Sequence, residues 1–336
     1  MARKPLPVAI GAALGVAAPL VLLFLLIPLF AGPASSIEPR DLPVVVAGPQ
    51  AATAEFAARL EAARPGAFAV TRVADAATAD GLLKDRSAYA AFVLAPEGVS
   101  LHTASAAGPA VSALLTAAAQ QLAQGKPVPV TDVAPLPADD PRGTGFAAGF
   151  FPLMIAGLIA AVVLFSLVPR NAARLVGVLL FSALAGLAGT LILQTWMGII
   201  GGDFLPVAAV IGLIVLAVSG SVLGLASLAG PAGIGLGAML IMLVGNALAG
   251  VAAAPELLPQ PWGEVGQWLP IGAGATALRS AAWFGFAGSG QALWTLASWA
   301  AAGLLLLSLA WLRQPPPAVD EPREAARKLG EAVMAA

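Results

Sequence analysis

The sequence predicts a multi-pass α-helical membrane protein with six transmembrane helices and an extracytoplasmic α/β domain between the first and second spans. Three observations predict it. Hydrophobic residues make up 59% of the chain and charged residues only 10%, well short of the ~25% charge of ordinary soluble domains. Apolar runs of about 20 residues recur along the chain with no Asp, Glu, Lys or Arg inside them, the length a helix needs to cross a ~30 Å hydrocarbon core. Most of the charges are gathered instead between Ile37 and Gly145, where the apolar runs shorten.

Residues 1–7 are read as a cytoplasmic N-terminus and 8–31 as the first span. Arg3 and Lys4 precede the run Val8–Phe30. A secretory signal has an apolar core of ~7–15 residues, so the length favours an uncleaved anchor. Ala31-Gly-Pro-Ala34 keeps a cleavable signal as the alternative. Pro19 and Pro28 predict a kink and a loosened end.

Residues 37–145 read as the α/β domain. Leu42–Ala47 is a buried strand, and Ala51–Arg64 is an amphipathic helix with Phe56 and Leu60 four apart. Phe68–Val73 alternates as a strand, and Thr78–Arg86 is a short helix. Tyr89–Leu94 and Val99–Thr103 are strands separated by the turn Pro96-Glu97-Gly98. Pro109–Gln124 is an Ala-rich helix stopped by Gly125, and Pro127–Val133 is extended. Ala134–Gly145, rich in Pro and Asp, reads as a linker.

Residues 146–313 form a five-helix transmembrane domain, with spans Phe146–Val168, Leu175–Trp196, Leu205–Leu228, Ile234–Ala254 and Leu293–Leu312. In lipid each must be helical, because a helix satisfies its own backbone. Basic residues set the orientation. Arg3, Lys4, Arg170, Arg174, Arg313, Arg323, Arg327 and Lys328 flank one side, whereas the short loops opposite hold only Arg279. Both termini are therefore expected in the cytoplasm, with 37–145 outside. In the cytoplasmic tail, 314–336, Pro315–Pro317 ends the last span. Glu321–Val333 reads as a solvated segment, or as a short helix with Ala325, Leu329 and Val333 on one face.

The connection 255–292 is long enough to imply structure or function. Pro255, Pro259, Pro261 and Pro270 divide it, and Trp262, Trp268, Trp283 and Trp294 suit a membrane–water interface. Short helices are expected at Trp262–Leu269 and Ala273–Phe284, the second dipping into the bilayer as an outer re-entrant segment. Arg279 is either a gate or substrate-facing cation or an interfacial anchor, with Glu264 or Glu256 as its partner. Gln194 and Asn246 are expected to hydrogen-bond between helices, and Asp203 to lie in a turn after Gly201-Gly202. Gly11-x-x-x-Gly15, Gly220-x-x-x-Gly224 and Gly233-x-x-x-Gly237 permit close helix approach.

Several classes of function are disfavoured. A net charge of −1 gives no footprint for nucleic acid. With no cysteine there is no disulfide, thiolate chemistry or Cys/His zinc site. The single histidine, His102, is read as structural or solvated. No G-x-x-x-x-G-K-[ST] pattern is present, since Gly125-Lys126-Pro127 departs from it, so no ATPase is carried here. No catalytic, cofactor-binding or metal-binding residue is assigned, and the chain is not expected to be an enzyme.

Three stretches carry a family resemblance: Asp132-Val-Ala-Pro-Leu-Pro-Ala-Asp-Asp-Pro-Arg-Gly143, Gly245-Asn-Ala-Leu-Ala-Gly250, and Leu269-Pro-Ile-Gly-Ala-Gly-Ala-Thr-Ala-Leu-Arg-Ser280 followed by Trp283-Phe284. In order and spacing the chain resembles the membrane subunits of ABC type-2 exporters over about residues 5–313. Within them it looks like the actinobacterial permease-like proteins related to the YhgE/Pip (phage infection protein) group. The resemblance implies a permease in a bacterial plasma membrane, moving an apolar or amphipathic substrate outward with a separate ATPase, as a homodimer or beside a related permease. Arg279, Glu264, Glu256, Asn246 and Gln194 are then candidates for the outer gate or substrate path, and Arg170 and Arg174 for the cytoplasmic contact. One departure is that Pro169–Arg174 is too short for the coupling helix such permeases carry. The alternative is a non-transport scaffold or receptor presenting its outer domain to a partner.

Overall fold

The computed structural model describes residues 8–122 and 127–313. The expectations for Arg3 and Lys4, for Gly125 and Lys126, and for the tail beyond Arg313 lie outside them. Among the described residues six helices are long and apolar enough to cross a membrane, and a five-stranded sheet lies early in the chain.

Helix α1, Val8–Ser35, contains Pro19, Pro28 and Pro33 yet is one helix. Its flanks through Leu20–Leu25 are exposed, and it meets the remainder of the chain chiefly at α9, described below.

The α/β domain follows. Its elements are β1 Leu42–Ala47, α2 Gln50–Ala63, β2 Phe68–Val73, α3 Ala76–Lys84, β3 Ala90–Ala95, β4 Gly98–Thr103, α4 Pro109–Leu122 and β5 Val130–Asp132. The strands lie in the order β2-β1-β3-β4-β5. β1 pairs parallel with β2 and β3, β3 pairs antiparallel with β4 through the Pro96–Gly98 turn, and β4 pairs parallel with β5. The unbroken apolar run of β1 is explained by burial on both faces. Helix α3 begins at Ala76, two residues before the expected start at Thr78, where Asp75 as N-cap accepts a hydrogen bond from the Thr78 amide at 2.8 Å.

Both faces of the sheet are finished by residues from much later in the chain. On one face Leu42, Val44, Val46, Phe92 and Leu101 pack with Leu60 of α2 and Val111 and Leu115 of α4; Ala254 and Leu257 complete that core. On the other, Val45, Ala47 and Ala91 pack with Ala79 and Leu83 of α3, and Phe284 completes it. The stretch expected as a linker is likewise fixed. Asp132 accepts from the amides of Ser105 and Ala134 at 3.1 and 3.3 Å. Leu136 packs on the second core, and Asp140, buried, accepts from the Phe146 amide at 2.8 Å. That bond satisfies one of the orphan donors at the start of the next helix.

The helical part comprises α5 Thr144–Leu167, α6 Asn171–Thr190 running into a π-helical segment Leu191–Trp196, α7 Phe204–Ala229, and α8 Pro231–Ala238. A second π segment, Met239–Gly245, leads into α9 Asn246–Leu248; a 3-10 turn Pro255–Leu257, α10 Trp262–Gln267, α11 Pro270–Trp283 and α12 Gly290–Leu312 follow. Helix α7 is the axis: α5, α6, α8, α11 and α12 all pack on it. Small residues set the spacing. A Cβ on Gly303 of α12 would come within 2.4 Å of the Gly220 carbonyl carbon, and one on Gly233 within 2.2 Å of the Leu225 oxygen. The Gly220/Gly224 and Gly233/Gly237 spacings thus serve contacts inside the chain, which is the close backbone approach such spacings allow. Gly15 meets nothing within 4 Å.

The boundary that differs most from expectation ends the fifth apolar run. The fifth apolar run, read as helical to Ala254, leaves the helix after Leu248. Gly250 takes a positive φ of 60°, and the chain turns so that Ala254 enters the α/β domain's core.

Candidate functional site

A cavity of about 590 Å³ lies where the α/β domain meets the segment from Ala249 to Ala292. Two loops of the domain, Arg40–Pro43 and Arg86–Tyr89, form one wall. Ala249–Pro261, α10, α11 and the start of α12 form the other. The two walls are stitched together. The Glu38 and Arg40 amides donate to Leu257 and Glu256 carbonyls at 3.2 and 3.0 Å, and the Arg40 guanidinium reaches the Leu257 carbonyl at 3.1 Å.

Arg86 crosses between the walls because of how α3 ends. The Ser87 amide bonds to the Leu82 carbonyl and the Arg86 amide to that of Leu83, a Schellman pattern that puts Arg86 in the left-handed region at φ 57°. Glycine is the usual residue there, and a side chain in that region costs roughly 1–3 kcal/mol. What the side chain supplies in return is reach: its guanidinium donates to the Thr276 carbonyl at 3.1 Å and to the Ser280 hydroxyl, both on α11, and lies 5.5 Å from the Phe284 ring centre.

Tyr89 donates its hydroxyl to Glu256 Oε2 at 2.8 Å. Burial first, and the Glu256 charge second, push the phenol well above its usual range, so it stays a donor. Burial pulls the Arg86 guanidinium down from its ordinary value, opposed by Tyr89 and Glu256. Thr276 donates to Gln267 Oε1 at 2.7 Å, and Gln267 Nε2 reaches the Ala249 carbonyl at 3.4 Å, tying α11, α10 and the loop together.

Arg279 is 6% exposed. It is not an anchor snorkelling to a surface. It donates to the Val251 carbonyl at 3.1 Å and stacks 4.8 Å from the Phe146 ring centre. The expected pairing with Glu264 or Glu256 is not formed: among the described residues the arginine–carboxylate ion pairs are Arg40–Glu38 and Arg59–Glu55. The reason is geometric. Glu256 is taken by Tyr89, Glu264 is exposed, and α11 turns Arg279 toward Phe146.

Of the residues singled out in the sequence, Arg279, Glu256 and Glu264 therefore line one cavity, and Gln194 and Asn246 do not. Gln194 sits in the first π segment and donates to the Gly202 carbonyl at 2.5 Å, closing its own turn rather than joining helices; its Oε1 is buried without a partner. Asn246 follows directly on the second π segment. Asp203 stands at the start of α7, next to Gly202 with φ 87°. Arg170 is exposed. Arg174 is not available to a partner: it is 9% exposed and donates to Val168 and Phe165 carbonyls at 2.7 Å each, to Asn171 Oδ1 at 2.8 Å and to Ser227 at 3.2 Å. Trp262, Trp268 and Trp294 are exposed, whereas Trp283 turns inward, edge-on to Phe146 at 5.5 Å. His102 meets Asp80 at 2.6 Å and does not line the cavity.

Sequence reasoning missed Arg86, Tyr89, Gln267 and Thr276. Only Arg86 left a signal: no glycine stands where α3 must stop. Comparison with known protein families, with curated proteins and with solved structures finds no match for this chain.

Proposed function

We propose that this chain is the membrane-embedded permease subunit of an ABC-type exporter, carrying an amphipathic molecule outward across a bacterial plasma membrane with a separate ATPase. In this reading both termini are cytoplasmic and the α/β domain stands outside, so the junction cavity is the exit port. The observation that carries it is the cavity itself. A chamber of mixed polar and apolar lining, bounded by the broken segment 249–289 and a folded domain, adjoins a bundle whose axis, α7, is otherwise closely packed. Irregular backbone at membrane depth is tolerated where protein or water covers it. The resemblance over residues 5–313, whose third motif supplies α11, adds the export direction. Because α7 is closely packed by its neighbours, the path runs along the surface of the chain, between two copies or beside a related permease.

The test has two arms. Because the chain lacks cysteine, S100C and R170C give clean single labels. A membrane-impermeant maleimide added to intact cells is expected to label S100C and spare R170C. Purified from native membranes, the protein is expected to bring down an ATP-binding protein whose hydrolysis it stimulates. Reversed labelling, or a preparation free of any ATPase, overturns the export reading.

A second reading, a scaffold or receptor, is favoured by the connection between α5 and α6. Only Val168, Pro169 and Arg170 separate those helices, and Arg174 is consumed internally. In this orientation the described cytoplasmic positions open to an ATPase are Arg170, the Gly230 connection between α7 and α8, and Arg313. Stable capture of a non-ATPase partner by the α/β domain alone among its surfaces selects this reading.

A further inference from the structure

Among the described residues, two guanidiniums that line the cavity are in no ion pair. Arg86 and Arg279 come from different walls, and both line it. Arg86 donates only to a carbonyl and a hydroxyl, Arg279 only to a carbonyl. Neither is in an ion pair, and the Arg279 guanidinium lies within electrostatic reach of the Arg86 charge, which repels it. Burying one charge without a counter-charge is costly, and burying two of the same sign near each other is costlier. The site's carboxylates relieve it only in part: Glu256, which accepts from Tyr89, attracts Arg86 without forming an ion pair with it, Arg40 is served by Glu38, and Asp41 and Glu264 are exposed. Arg86 is moreover held there by a backbone conformation that glycine would adopt at lower cost.

We propose that Arg86 and Arg279 together bind the phosphate group of a ligand that enters this cavity. Guanidinium forks match tetrahedral phosphate oxygens and are hard to desolvate without such an anion. Two forks from opposite walls grip one phosphate from two directions. The remaining volume, about 590 Å³ in all, exceeds what a bare phosphate fills. Its walls at Ala249, Ala254, Trp268, Ala275 and Ala292 are apolar, which suits the glycerol and first methylenes of a phospholipid-like amphiphile. The proposal names the ligand of the port described above and rests on that port being used, but binding is measured here without any ATPase, so the two can fail separately.

The experiment uses the full chain in phosphatidylcholine nanodiscs, titrated with dihexanoyl phosphatidic acid or with inorganic phosphate, and read by native mass spectrometry and tryptophan fluorescence. Saturable binding of the short-chain lipid is expected, with R86Q and R279Q each weakening it ~10-fold or more, as expected for losing a charge-assisted hydrogen bond. R59Q, at an exposed position of α2 outside the cavity, is expected to leave it unchanged. Equal affinity for inorganic phosphate identifies a free phosphate as the ligand; a much weaker response identifies an amphiphile. If either glutamine variant does not fold, R86K and R279K carry the test, since lysine keeps the charge and loses the fork; each is expected to bind several-fold more weakly. No saturable binding of either probe, or folded Arg86 and Arg279 variants that bind as the parent does, overturns the proposal and leaves the two side chains as a purely mechanical lock.

Discussion

Replacing Leu257 by alanine should loosen the α/β domain although Leu257 lies far outside it in sequence. Leu257 is fully buried, and its neighbours in the core are Leu42, Val44, Phe92 and Leu115. Truncating a buried leucine costs about 2–5 kcal/mol, the transfer of the lost methylenes plus the cavity left behind. The short turn Pro255–Leu257 is pinned at both sides by the Glu38 and Arg40 amides, so it has little freedom to collapse into the gap, and a figure of about 3 kcal/mol is reasonable. Each 1.4 kcal/mol is tenfold in an opening equilibrium. Amides of β1, β3 and β4 should therefore exchange with deuterium ~100-fold faster in L257A nanodiscs. Those of α7 and α12, whose packing does not involve Leu257, should be unchanged. Unaltered protection in the sheet would refute the argument that the domain's core is shared.

Two further outcomes follow from local geometry. R174A removes the donors that satisfy the Val168 and Phe165 carbonyls at the tight α5–α6 connection. It should destabilise the bundle by roughly 2–4 kcal/mol, visible as a lower melting temperature in detergent, while R170A should stay within ~0.5 kcal/mol of the parent. Asp75 illustrates a pH effect. The Thr78 amide bond, and then the Thr78 hydroxyl, hold its carboxyl below the usual carboxylate range. Its cap therefore supports α3 fully above the unfolded carboxylate pKa and is lost as pH falls through the lower folded value. Exchange of the α3 amides should accelerate on acidification beyond the intrinsic rate change, and D75N should abolish that acid dependence.

Much of the architecture could be read in advance because the signals were local. The runs that became β1, β2 and β4 announced themselves by composition and turn residues, and the apolar stretches by length. Boundaries failed where distant contacts decide them. The fifth apolar run stops at Leu248 because residues 249–254 are drawn off to cover a sheet made two hundred residues earlier, and nothing in Val-Ala-Ala-Ala says so. Helix α3 was read through Arg86, whereas the Schellman turn ends it at Lys84. At the cavity, charged residues in an oily setting pointed to Arg279, Glu256 and Glu264. Arg86 and Tyr89 belong to a polar stretch where charge is ordinary, and only the tertiary fold sets them opposite α11. The pairing of Arg279 was misjudged for the same reason: proximity in sequence to Glu264 does not survive the turn at Pro270.

That the sheet borrows its last core residues from the far half of the chain has a consequence for biosynthesis. At ~5–20 residues per second, roughly ten seconds separate the emergence of β5 from that of Leu257 and Phe284. During that interval the nascent sheet is open on both sides and must be shielded by a chaperone or remain partly unfolded. The final helices of the bundle cannot simply be appended to a finished α/β domain; their arrival is the step that closes it. A nonsense truncation after α7 would on this account yield no separately folded fragment.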